Sequence, residues 1–132
     1  REMGRTAMGV RGIKLSKGDN VIAAEAVLNT WDSPTLMVIS EHGYGKCTDI
    51  DEYKIQNRGG SGIKTANVTA KTGPLISAKI FSTDEAEVVA ISKKSQVIRV
   101  DAKEIPVLGR QTQGVRIMKL REGDSIASLI CL

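Results

Sequence analysis

Short runs of Val, Ile and Leu, separated by polar turn residues, follow one another along this chain. The runs are rich in β-branched residues and a helical period is nearly absent, which is typical of β-strands. Gly, Asp, Asn and Pro fill the connections, where a tight turn needs unusual backbone angles. We therefore predict an all-β chain, with one of its turns at 83–85. The predicted strands are 10–15, 21–28, 36–40, 45–50, 63–68, 75–81, 88–92, 96–101, 115–120 and 126–132.

The chain also repeats itself. Residues 3–21 and 108–126 match without gaps at an offset of 105, and nine of the 19 aligned positions are identical. A weaker copy near Arg58 lies about midway, which gives a period near 52 residues. Four short strands in a repeat of this length are typical of the blades of propeller-like folds. We predict one partial domain over residues 1–132, with repeat units at about 3–55, 56–107 and 108–132.

Composition limits the class of protein that this chain can belong to. With 132 residues, of which 41% are hydrophobic and 3% aromatic, the chain is one domain or part of a larger array, with a core of Val, Ile, Leu and Ala. It lacks the roughly 18 consecutive apolar residues of a membrane span and shows no signal pattern. It starts inside the repeat motif, which suggests a fragment. The cysteines, Cys47 and Cys131, fit reduced strand residues of a cytoplasmic protein.

Positive charge recurs at fixed positions of the repeat. The net charge of +4 permits a polyanionic partner without requiring one. A repeat fold places equivalent residues on one continuous surface, so these cations predict a stripe suited to a phosphodiester backbone. The alternative is that they hold neighbouring blades together through carboxylates such as Glu52 and Glu104. The repeated cations are Arg5, Arg58 and Arg110, then Arg11, Lys64 and Arg116, and finally Lys14 and Lys119.

Residues for catalysis or metal binding are scarce. The single histidine, His42, falls in a predicted hairpin tip, and no Cys or His pair has metal-ligand spacing. Asp49, Asp51 and Glu52 could suggest a cation site, but the repeat places Lys103 at the position equivalent to Asp51. We predict no catalytic residue, metal or cofactor, and no enzymatic activity for this chain alone. A propeller-type module that binds other proteins is the alternative, although it would not need the repeated cations.

Three segments closely resemble the C-terminal domain of the DNA gyrase A subunit, with the related domain of topoisomerase IV as the near alternative. These segments are 4–13, 43–46 and 109–115. The resemblance implies a β-pinwheel, a relative of the β-propeller, with about two and a half of its four-stranded antiparallel blades present. It also implies a basic perimeter that binds and bends double-stranded DNA without reading its sequence, and it adds Lys46 to the DNA-binding residues.

The resemblance extends to the setting of the domain. In that family the wrapped DNA supports negative supercoiling by the parent enzyme, with ATP hydrolysed on another subunit. It therefore implies the other A and B subunits as partners, no membrane, and a bacterial cytoplasmic, nucleoid-associated location. Because an incomplete ring leaves strand edges open, we also expect self-association between copies.

A seven-residue box that is a hallmark of the family, Gln-basic-Arg-Gly-Gly-basic-Gly, is similar to residues 56–62. Asn57 and Ser61 stand at its two basic positions, so the segment is either a degenerate copy or a chance similarity. The DNA-cleaving tyrosine of the family lies in another domain, so Tyr44 and Tyr53 receive no catalytic role. The box residues that this chain keeps are Gln56, Arg58, Gly59, Gly60 and Gly62.

Overall fold

Pairing between strands of different repeats builds the structure. The computed structural model describes residues 1–82 and 86–132, and in these residues it has two antiparallel sheets with the strand orders β3-β1-β2-β6 and β5-β4-β7. Single 3₁₀ turns, Ile50–Glu52 and Ala102–Glu104, follow β2 and β5. Among the described residues, no helix has the length and apolar character to cross a membrane. The strands are β1 (Thr35–Ser40), β2 (Tyr44–Asp49), β3 (Leu75–Phe81), β4 (Glu87–Ser92), β5 (Val97–Asp101), β6 (Val115–Arg116) and β7 (Ile126–Cys131).

The all-β prediction is confirmed, and most of the strands form where the sequence predicts them. Six of the ten predicted strands are present within one residue at each end: 36–40, 45–50, 75–81, 88–92, 96–101 and 126–132. The strand predicted at 115–120 shortens to Val115–Arg116. The strands predicted at 10–15, 21–28 and 63–68 are wrong. The turn predicted at 83–85 lies outside the described residues.

The segment 21–28 lacks the partner that its equivalents use. β3 pairs with β1 and β7 pairs with β4, so the second strand of a repeat lies beside the third strand of the repeat before it. Residues 1–20 form no such third strand in this structure, and without a ladder the backbone groups of residues 21–28 are exposed to water. Burial shows the consequence: Val21 is 60% exposed, whereas its repeat equivalent Ile126 is 0% exposed.

The first strand of a repeat needs a more distant partner. β6 belongs to the third repeat and pairs with β2 of the first. The described residues hold no equivalent of β2 at the corresponding place for the segments 10–15 and 63–68, and these segments form no ladder there. Ile13 accordingly makes only an isolated bridge, to Gly60.

Aliphatic side chains from both sheets form the core. It includes Met37 and Ile39 from β1, Val88 from β4, and Ile126 and Leu129 from β7. The sequence predicts both cysteines on strands, and the structure places them on β2 and β7 as free thiols. Burial raises the pKa of Cys47 to about 11, so this thiol stays protonated and behaves as a small apolar side chain.

Glycine allows the chain around β6 to approach β2 closely. Gly43 has φ +87, and a Cβ there would lie 2.4 Å from the carbonyl oxygen of Met118. Gly114 has φ +85, and a Cβ there would lie 2.6 Å from the carbonyl oxygen of Gly45. The amide of Ile117 uses this closeness and donates to the Gly43 carbonyl at 2.8 Å. Both the backbone angle and the contact therefore require glycine at these two positions.

Replacing Gly114 should destabilise the fold through this contact. We expect Gly114→Ala to lower the free energy of unfolding by about 2–4 kcal/mol, because it combines a strained positive φ with a clash against backbone. The matched control is Gly9→Ala at the equivalent repeat position, where φ is +87 and nothing lies within 4 Å of the added Cβ. That variant carries the strained φ without the clash, so in urea unfolding it should lose clearly less stability than Gly114→Ala. Equal losses in the two variants would contradict the importance of the close approach.

Candidate nucleic-acid interface

Cations of the first two repeats lie on exposed chain. Arg5, Arg11 and Lys14 belong to the fully exposed segment before Trp31, which contributes no strand to either sheet. Arg58 and Lys64 are exposed as well. Among the described residues, none of these side chains takes part in an ion pair. Their charges are therefore open to solvent and to any anion that approaches.

The glycines of the box-like motif hold the backbone of the first repeat. The Gly59 amide donates to the Gly12 carbonyl at 2.7 Å, and the Lys14 amide donates to the Gly60 carbonyl at 2.8 Å. Gly59 and Gly62 have φ of +78 and +76. Gln56, the first residue of the motif, donates through its side-chain amide to the Lys54 carbonyl at 3.2 Å. The motif thus joins two repeats through main-chain contacts.

Arg110 is partly used inside the fold. Its guanidinium donates to the Lys64 carbonyl at 2.9 Å, and its backbone amide lies 3.4 Å from Glu52 Oε1. Glu52 is one of the carboxylates that could hold neighbouring blades together through the repeated arginines. Its carboxylate lies near the backbone amide of Arg110 and makes no ion pair with the guanidinium. Arg110 therefore ties the third repeat to the first and second, and the residue is half-buried rather than free.

Lys46, which the sequence analysis placed among the DNA-binding residues, is buried inside the fold. It is 1% exposed, and its ammonium donates to the carbonyls of Gly109 and Arg110, both at 2.7 Å, and to Thr112 Oγ1 at 3.0 Å. These bonds use all three ammonium hydrogens. Desolvation lowers the pKa of Lys46, although the nearby Glu52 carboxylate opposes the effect. Lys46 fastens the loop that precedes β6 and does not belong to the exposed basic surface.

Loss of this ammonium should cost stability. We expect Lys46→Met to lower the free energy of unfolding by about 2–4 kcal/mol, because it keeps the apolar stem and leaves its acceptors without a donor. The control is Lys14→Met, an exposed lysine whose replacement should change stability by less than about 0.5 kcal/mol. Thermal or urea unfolding measures both. A Lys46→Met chain as stable as the control, but weaker in DNA binding, would restore the predicted role as a phosphate contact.

Sequence analysis missed two residues that lie beside Arg116. Tyr44 and Arg116 are directly opposite each other on β2 and β6, and the guanidinium donates to the phenol oxygen at 3.2 Å. Arg116 lies 5.6 Å and Lys71 Nζ 5.5 Å from the centre of the Tyr44 ring, which makes both cation–π contacts. The hydrogen bond from Arg116 lowers the pKa of Tyr44. Tyr44 does not recur in the other repeats, so the repeat pattern could not reveal it. Lys17 stands four residues before Val21 as Lys71 stands before Leu75, but the third repeat has Glu122 at this place.

A recess of about 460 Å³ opens beside this pair of cations. Lys119 and His42 also line it. The Nδ1 of His42 lies 3.0 Å from the Lys71 carbonyl, so this nitrogen carries the hydrogen and holds the turn that presents Lys71. Two repeated cations, Arg116 and Lys119, thus meet a third cation from a different repeat.

The ion pairs in the described part of the chain do not use the repeated cations. They join Lys79 to Glu25, at 3.6 Å, and Arg99 to Glu87. No group of three or more His, Cys, Asp and Glu residues that could hold a metal occurs in residues 1–82 and 86–132. The chemistry that this surface offers is therefore positive charge and hydrogen-bond donation.

Comparison with known proteins places this arrangement in a family. The sequence profile described as "DNA gyrase C-terminal domain, beta-propeller" matches residues 1–27, 34–82 and 86–132. The chain is 46% identical over 123 residues to the A subunit of DNA gyrase from Lawsonia intracellularis, and this match covers 93% of the chain but only 15% of that relative. The chain therefore corresponds to a small part of the protein it resembles.

Solved structures agree with this result. The structure titled "Structure of DNA gyrase A C-terminal domain" superposes with a TM-score of 0.69 at 26% identity, over 74% of this chain and 33% of that one. The C-terminal domain of DNA topoisomerase IV superposes with a TM-score of 0.83 at 16% identity, over 93% and 38% of the two chains, and shows the shared fold. On the profile match and the identity to gyrase A, this chain belongs to the DNA gyrase C-terminal domain family of β-propeller type.

Proposed function

We propose that this chain is a DNA-binding segment of a type II topoisomerase, which binds and bends duplex DNA through its phosphate backbone. The observation that carries the proposal is the exposure of Arg11, Lys64 and Arg116, three cations at one repeat position with no carboxylate partner among the described residues. Such a surface attracts a polyanion, and binding releases the counterions condensed on the DNA. The relatives, which are named as the A subunit of DNA gyrase, support the same function.

Contacts of this kind position DNA without reading its sequence. Arginine and lysine side chains bind phosphate oxygens, which are the same at every base pair. We propose that a duplex that follows the repeated cations bends from one repeat to the next. We propose that this bending is the contribution of the segment to ATP-dependent negative supercoiling by the parent enzyme.

The chemistry of DNA cleavage and ATP hydrolysis belongs, in this proposal, to the rest of that enzyme. The chain spans about a seventh of the relatives that it matches, at 14–15% of their length. Its partners would be duplex DNA and the other A and B subunits, in the bacterial cytoplasm.

Self-association between copies of the chain is also part of the proposal, since the outer edge of β5 has no strand partner among the described residues. Sedimentation at rising concentration tests it, and a constant monomer mass would contradict it.

A salt titration tests the electrostatic basis of DNA binding. If three to five phosphates are neutralised, the logarithm of the binding constant should fall with the logarithm of salt concentration with a slope of about −3 to −4. Fluorescence anisotropy with labelled duplexes of two unrelated sequences measures both the slope and the lack of sequence preference. Affinity that does not depend on salt, or no binding at about 50 mM salt, would contradict the proposal and favour a protein-binding module.

Removal of one exposed cation should act on all sequences alike. We expect Arg11→Ala to weaken binding of both duplexes by a similar factor and to reduce the salt slope by about 0.9. The control is Lys103→Gln, an exposed lysine outside the repeated set. Circular dichroism should show both variants folded. Loss of folding in the Arg11 variant would support the structural role of the arginines instead.

A further inference from the structure

The recess beside Tyr44 collects cations from two repeats around a buried phenol. Lys71 comes from the turn before β3, whereas Arg116 and Lys119 come from the third repeat. Tyr44 is 7% exposed, and its ring lies within 6 Å of both Lys71 Nζ and the Arg116 guanidinium. Three positive charges therefore converge on one small opening at a cost in mutual repulsion, which an anion would relieve.

One carboxylate, Asp124, lines the recess beside the three cations. Asp124 is buried and accepts hydrogen bonds from Ser92 Oγ at 2.5 Å, from the Ser125 amide at 2.8 Å and from the Lys94 amide at 3.0 Å. Burial by itself would raise the pKa of Asp124, but these hydrogen bonds outweigh it and the pKa is lowered. The carboxylate thus belongs to the contact between β4 and the turn before β7, and one negative charge against three positive charges leaves the recess net positive.

The hydroxyl hydrogen of Tyr44 remains available to a ligand. Arginine and lysine can only donate hydrogen bonds, so the Tyr44 oxygen is the acceptor in its contact with Arg116. No acceptor for the phenol hydrogen is found among the described residues. A tetrahedral oxyanion supplies such an acceptor, and at the same time it can take donors from the surrounding cations.

We infer that this recess is a phosphate site, which takes one phosphodiester group of duplex DNA on Lys71, Arg116 and Lys119, with Tyr44 as the residue that positions Arg116 and donates to the anion. The inference rests on the proposed DNA binding and specifies where one phosphate enters. Tyr44 is buried and lies directly opposite Arg116 in the β2–β6 pair, so its phenol and ring hold the guanidinium in place before the ligand arrives.

Measurements of duplex binding test the site with two kinds of variant: those that remove a positive charge, and one that removes only the hydrogen bonds of Tyr44. We expect Lys71→Gln and Lys119→Gln each to weaken duplex binding about tenfold and to reduce the salt slope by about 0.9. Tyr44→Phe should weaken binding about three- to tenfold without changing the slope, because it removes hydrogen bonds and no cation. The control is again Lys103→Gln. If Lys71→Gln and Lys119→Gln bind DNA as tightly as the control, the inference is overturned.

The ionisation of Tyr44 gives a second readout that a purely structural tyrosine would not move. In a Tyr53→Phe background Tyr44 is the only tyrosine, and carbon-13 labelling of its ring reports the phenol pKa by NMR. A bound phosphate favours the neutral phenol, so inorganic phosphate should raise the pKa of Tyr44 relative to chloride at equal ionic strength. The shift should disappear with Lys71→Gln. His42 and Asp124 also face the recess and are present in both chains, so the comparison cancels their effect.

The DNA-binding measurements and the Tyr44 pKa measurements together distinguish failure of the phosphate site from failure of the proposed function. If the wild-type chain binds no duplex DNA, the proposed function fails, and the assignment to DNA fails with it. If DNA binds but neither duplex nor inorganic phosphate moves the Tyr44 pKa, only the phosphate site is overturned. A shift produced by duplex and not by inorganic phosphate supports DNA as the source of the phosphate, whereas a shift from inorganic phosphate that duplex does not reproduce contradicts it.

Discussion

Every sheet in this structure depends on strands supplied by another repeat. β1 and β2 of the first repeat are completed by β3 from the second and β6 from the third, and β4 is completed by β7. A backbone that leaves water must find hydrogen-bond partners. The third and fourth strands of a repeat pair with each other, as β1–β2 and β4–β5 do, whereas the first and second strands form only where another repeat provides their ladder. The repeats are thus not independent folding units, because each sheet contains strands from more than one repeat.

The same dependency places the charged residues. The loop before β6 is held by Lys46, whose ammonium bonds its carbonyls, and by the close contact of Gly114 with Gly45. This support brings Arg116 opposite Tyr44 and beside Lys71. The equivalent cations Arg11 and Lys64 lie on segments without a strand partner and make no such contacts in the described part of the chain. Strand pairing between repeats therefore turns a repeated cation into part of an ordered recess.

The sequence predicted the fold class and six strands because local signals, β-branched runs and turn residues, agree with the tertiary pairing there. It overpredicted 10–15, 21–28 and 63–68 because their local signals are as good as those of β3 and β7, whereas none of these three segments pairs with a strand within residues 1–82 and 86–132. Lys46 shows a second limit of prediction from sequence. A lysine beside a glycine motif is expected to be a surface charge, and its three hydrogen-bond acceptors come together only in the folded loop. Family membership was recognisable from three short motifs, whereas Lys71 and Tyr44 could be found only from their contacts.

Amide hydrogen exchange tests the central claim, the pairing between repeats, most directly. The segment 21–28 and the strands Leu75–Phe81 and Ile126–Cys131 have equivalent positions in the repeat and similar composition, but in the part of the chain that the structure describes only the two strands have a ladder partner. The account predicts strong protection of alternate amides in β3 and β7 and exchange close to that of an unfolded chain throughout 21–28. Comparable protection in all three segments would contradict it.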